Sequence, residues 1–156
     1  MNATTRYIYP KNSTIKNTDK WYYNCGGYAL STFRWVYPAQ DEASWEQLQQ
    51  IYDTEGAEYA TLVAVDWLIQ EFNLELVSAI SVYNRAINYR KYEVIAFRYE
   101  DTDEDGDFHF MKLGRDGRWR DKRGSSSYIN VHSYDYVFES WYDRYDGPIA
   151  FMIRPR

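Results

Sequence analysis

The sequence predicts an α+β domain, with helices first and an antiparallel sheet after them. Three observations carry this. Apolar residues recur at helical spacing up to residue 72, most clearly over 58–72. From residue 74 the pattern changes to short β-branched and aromatic runs such as Val94-Ile95-Ala96-Phe97. Between two such runs lies Gly114-Arg115-Asp116-Gly117, a hairpin turn that makes its flanking strands antiparallel neighbours.

In chain order, residues 1–20 are rich in Asn, Thr and Lys and read as a polar, extended arm pinned by Tyr7, Ile8 and Tyr9. Residues 21–156 read as a single domain, because no repeat, low-complexity tract or linker divides them. Asn24 is a strong N-cap, and Tyr28, Ala29, Thr32, Phe33 and Val36 form one stripe of a helix over 25–36 that Pro38 ends. A second helix is expected over 41–52 with Trp45, Leu48 and Ile51 on one side, broken by Asp53-Thr54-Glu55-Gly56. A third spans 58–72, its buried face read as Tyr59, Leu62, Val63, Trp67, Ile69 and Phe72, with Asp66 out of pattern. Leu74 and Leu76, leading through Ala79-Ile80 into Val82-Tyr83, read as strand. Further strands are expected over 92–99, 108–113, from Trp119, and over 128–132. A short helix over 133–145, capped by Ser133 or Asp135, and a buried closing strand over 149–153 complete the chain.

Composition excludes some classes. The net charge of −5 argues against nucleic-acid binding, which needs basic surface. A single cysteine forms no internal disulfide. No apolar run reaches membrane-spanning length and no signal segment follows Met1, so a soluble, cytoplasmic protein without a membrane partner is expected. The sequons at Asn2 and Asn12 carry little weight in that setting. Seventeen tyrosines exceed ordinary usage; they pack core edges or line a gripping surface.

The chemistry centres on Cys25. It opens a helix, where orphan N–H groups favour an anion, and the thiolate is the reactive form of a thiol. Gly26 and Gly27 leave room for something to approach. A thiol nucleophile needs a base within hydrogen-bond reach and a third group to orient that base. His109, in Asp107-Phe108-His109-Phe110-Met111, alternates with phenylalanines that anchor the opposite strand face. Across the hairpin, Asp121 falls on the same sheet face, placed to fix the imidazole tautomer.

Asn24-Cys25 with Tyr28-Ala29-Leu30, then Asp107-Phe108-His109-Phe110, then Gly117 through Trp119 and Lys122 to Gly124, resemble small bacterial and phage proteins. Those proteins are similar to the papain-like superfamily, in particular its NlpC-like peptidases and amidases. The resemblance implies a papain-like core in which Cys25 is the nucleophile, His109 the base and Asp121 the orienting residue. It implies a cysteine hydrolase acting through an acyl-enzyme on a peptide, isopeptide or peptidoglycan-stem amide, with no cofactor. The oxyanion would be held by the Cys25 N–H and by an upstream side chain, here Tyr23.

Competing readings stand beside these. Cys25 also reads as a small buried hydrophobe, His109 as a core histidine, and Asp121 as a strand-edge charge. His132 competes as base and Asn130 as the orienting group. Residues 101–107 match the start of a calcium loop, but its twelfth position is Lys112 and strands flank it, so a solvated acidic turn is favoured. A zinc site from Cys25, His109 and His132 lacks ligands and a close-spaced pair, so no metal is expected. Two other functions remain: a silent papain-fold binding protein that grips a host protein, and an acyl or peptidyl transferase.

Overall fold

The computed structural model describes residues 5–8, 23–32, 34–100, 107–124, 126 and 128–156. It is an α+β fold in which one seven-stranded sheet, all pairs antiparallel, receives helices from the first half of the chain. In chain order the elements are β1 (Thr5–Ile8), α1 (Cys25–Ala29), α2 (Glu42–Phe72), β2 (Glu75–Val77), α3 (Ala79–Tyr83) and β3 (Tyr92–Tyr99). They continue with β4 (Phe108–Leu113), β5 (Trp119–Lys122), β6 (Tyr128–His132), a 3-10 turn (Tyr134–Phe138) and β7 (Ala150–Pro155). The strand order is β1-β6-β5-β4-β3-β7-β2. Among the described residues no helix is long and apolar enough to cross a membrane.

Both faces of the sheet are covered, which is why β3, β4 and β7 are apolar on both sides. One face carries Ile95, Phe97, Phe108 and Phe110 against α1 and α2; the other carries Val94, Ala96, Met111 and Trp119 against Val137, Trp141 and Tyr145. The alternation read from the sequence thus holds along β4, with His109 and Met111 on the face opposite Phe108 and Phe110.

Four expectations are corrected. The first helix stops at Ala29 instead of Val36, because Ser31 turns left-handed (φ 56°) and the chain folds back. Asn24 drives that return: its Oδ1 accepts from Gly27 N (3.1 Å) and Val36 N (3.0 Å), and its Nδ2 donates to Val36 O (2.8 Å). In α2 the expected break appears as a kink at Gly56 (φ 90°, ψ 171°), but the buried face differs from the one expected. The helix buries Ala57, Ala60, Thr61, Ala64, Val65 and Leu68, while Tyr59, Leu62 and Val63 point outward. Small residues let its backbone approach the sheet, and that closeness outweighs the larger apolar side chains. Residues 79–83, read as strand, form the short helix α3, started by Ser78 accepting from Ser81 N (3.2 Å). The helix expected over 133–145 is a 3-10 turn over Tyr134–Phe138 with Ser133 at its N-cap position, followed by a tight Trp141–Tyr145 loop. The N-terminal arm contributes an edge strand, β1, paired to β6. Most of the acidic turn, residues 101–106, lies outside the described residues.

Candidate active site

The site lies where β4 and β5 part. β3 and β4 pair over six residues, but β4 and β5 only through Lys112↔Arg120 and Leu113↔Trp119. Beyond those pairs the strands separate, and α1, which packs on both, brings Cys25 to His109. The space left by the two glycines is filled by the chain itself. A Cβ at Gly27 would stand 1.9 Å from the Arg34 carbonyl oxygen, and one at Gly26 3.1 Å from Val36 Cβ. The glycines therefore admit the returning segment, not a ligand. With only one turn in α1, its dipole is slight. The charged side chains that act on the sulfur are His109 from β4 and Lys122 from β5.

His109 is 2 % exposed and held on every side. Its Nε2 donates to Asp121 Oδ2 at 2.5 Å, leaving Nδ1 for its hydrogen bond with Cys25. Tyr145 stacks on the ring (5.0 Å, 21°), and Trp141 and Tyr142 meet it edge-on. Burial opposes a charge on this imidazole. The Cys25 charge, the Asp121 and Cys25 hydrogen bonds and the Asp121 charge overcome it and raise its pKa well above the ordinary 6.5.

Asp121, wholly buried, is the hub. Besides His109 it accepts from His132 Nε2 at Oδ1 (2.7 Å) and from the Tyr142 hydroxyl at both oxygens (2.8 Å each). Burial raises its pKa, but the hydrogen bonds and charges of the two histidines prevail and hold it below the usual carboxylate range. His132, the alternative base, is stacked on Tyr136 (4.1 Å, 9°), anchors the carboxylate and does not line the cleft. Tyr142 reaches Asp121 from a strained loop, since Tyr142 (φ 56°) and Asp143 (φ 53°) are both left-handed.

Lys122 is fully buried. Its Nζ donates to Tyr23 O (2.7 Å) and Gly124 O and lies 4.8 Å over the Tyr23 ring. Burial lowers its pKa to about 8, against the opposing pull of Cys25. With the sulfur as thiolate, Lys122, Cys25, His109 and Asp121 alternate in sign and sum to zero, the arrangement buried charges require. Tyr23, expected to hold an oxyanion, is buried beneath Lys122 and is not part of the cleft lining.

Cys25 (4 % exposed) and His109 line a cleft of about 750 Å³. Its lining includes the aromatic side chains of Trp35, Tyr37 and Trp45 and, around β5 and β6, Arg123, Gly124, Ser126 and Asn130. At its rim Arg144 pairs with Glu100 and with Asp107 (3.1 Å), and Tyr145 donates to Asp107 (3.0 Å). Asn130, the spare orienting candidate, is Asp121's cross-strand neighbour, and among the described residues its Oδ1 accepts no hydrogen bond from His109. Among the described residues no group of three or more His, Cys, Asp or Glu is set to hold a metal ion.

The sequence reading missed Lys122 as a charge beside the sulfur, Tyr142 as a partner of Asp121, and Tyr145 as the platform under His109. The tyrosine excess was the signal for the last two, because residues 141–145 hold two tyrosines within reach of the histidine. No protein-family model, curated protein or solved structure matches the chain.

Proposed function

We propose that this protein is a cysteine hydrolase, a peptidase or amidase of papain-like design, acting through an acyl-enzyme. The observation that carries the reading is His109, bonded through Nε2 to a buried carboxylate while its other edge meets the Cys25 thiol at an open cleft. Cys25 Sγ attacks the carbonyl carbon. The C–N bond then breaks as His109 passes the Nδ1 proton to the leaving nitrogen. Water, giving its proton back to His109, attacks the thioester, and the C–S bond breaks to return the thiolate.

The test is the rate of Cys25 alkylation by iodoacetamide against pH, together with hydrolysis of amide and ester substrates. A thiol that reacts quickly below pH 7, and slows in His109→Ala, supports the reading; one that reacts only after unfolding overturns it. Cys25→Ala should abolish turnover while the far-UV circular dichroism remains that of the native fold. A second reading, a silent binding protein, is favoured by the near-burial of the sulfur and by Trp35, 44 % exposed at the cleft. In that case Cys25→Ala keeps the full biological effect. A transferase, which shares the thiolate, is separated by product analysis with amines present.

A further inference from the structure

Asn130 is 2 % exposed and lines the cleft, yet its Oδ1 has no hydrogen-bond partner among the described residues. An acceptor left bare in the interior costs free energy, and native structures keep few of them without a use. Its backbone is fixed in register, Arg6 on one side and Asp121 on the other, so the side chain is presented by rigid strand. Arg123, half-buried, lines the same cleft, its guanidinium carbon 4.1 Å from the centre of the Tyr142 ring. No carboxylate pairs with it among the described residues, whereas Arg144, also in the lining, is neutralised by Glu100 and Asp107. The protein is acidic overall, so a negatively charged ligand is repelled at long range and needs a local cation.

We infer that this part of the lining is a subsite for an acidic peptide beside the sulfur, with Asn130 Oδ1 accepting a backbone N–H and Arg123 receiving a carboxylate. The aromatic part of the lining, Trp35, Tyr37 and Trp45, takes the ligand's apolar part. The inference rests on the hydrolase reading for the use of the site, but its test does not need turnover.

The probes are bromoacetyl-aspartate α-amide and bromoacetyl-asparagine α-amide, equal in shape and differing by one negative charge. In each, the Cys25 thiolate forms an S–C bond and bromide leaves with the C–Br electrons. The ratio of the two rates cancels the thiolate fraction and any general change in nucleophilicity. The intact protein should favour the aspartate probe about tenfold over the ratio shown by the urea-unfolded chain, as one charge-assisted contact provides. Arg123→Gln should bring the ratio to the unfolded value, and Arg123→Lys should keep part of the preference. Asn130→Leu should slow both probes and leave their ratio unchanged. A native ratio equal to the unfolded one, or one unmoved by Arg123→Gln, overturns the subsite. A rapid, pH-independent thiol with such a ratio fails the subsite alone; a sluggish thiol that still prefers aspartate supports the subsite and fails the hydrolase.

Discussion

Asp121→Asn removes the one carboxylate on which His109, His132 and Tyr142 converge. An asparagine there offers one oxygen and sets an NH₂ against one of these donors. Where that NH₂ faces His109, the imidazole gives up its Nε2 proton to accept, and the remaining proton sits on Nδ1, facing the sulfur. It then cannot take the thiol proton. Turnover should fall by about 10²–10⁴, the loss that follows when the base is held in the wrong tautomer. Breaking a buried charge pair from one side costs about 3–5 kcal/mol. With a urea slope of about 2 kcal/mol per M, the midpoint should drop by about 2 M. The pH dependence changes as well. His109's raised pKa contributes stability that is fully present below 6.5 and lost as pH rises through the raised value. Asp121's lowered pKa contributes stability present above 3.8 and lost as pH falls through the lowered value. The pair therefore supports the native fold across neutrality. In the variant, burial of His109 meets less opposition, and the alkaline loss should move to lower pH. Urea titrations from pH 5 to 9, with iodoacetamide kinetics over the same range, measure both effects. An unchanged midpoint with an unchanged alkylation profile would refute the hub.

Three further outcomes are expected. Gly27→Ala drives a Cβ into the Arg34 carbonyl and should cost about 3 kcal/mol or more, while Gly26→Ala, with softer neighbours, costs about 1–2 kcal/mol; urea midpoints compare them. Asn24→Asp keeps the acceptor for Gly27 and Val36 but sets a carboxylate against the Val36 carbonyl, a loss of about 2 kcal/mol by the same measurement. Tyr142→Phe removes the hydroxyl from both Asp121 oxygens; stability should fall by about 1–2 kcal/mol, read as a drop in the urea midpoint.

Strand periodicity was the most legible feature. Alternation in Phe108–Leu113 and the Gly114–Gly117 turn placed His109 and Asp121 on one face, and they lie 2.5 Å apart. Short-range patterns failed where a distant contact decided the outcome. The stripe at Tyr28, Ala29 and Val36 looked like one helix, but Asn24 binding Val36 across twelve residues folded the segment back. Tyr59, Leu62 and Val63 looked like a buried face because side-chain size was read without the closeness that alanines permit. Lys122 sits in no periodic pattern; its burial is explained only by what its ammonium meets in space.

The outermost strand has a cost for whatever the cleft binds. Backbone bonds stitch Thr5–Ile8 onto residues 128–131, so Asn130 is held from outside by a segment some 120 positions earlier in the chain. Peeling that segment away, by a nick or a fusion, would bare the amide row of β6 and invite another molecule's strand to lie down there. Clumping and loss of ligand preference would then arrive together, from damage at the sheet's outer edge.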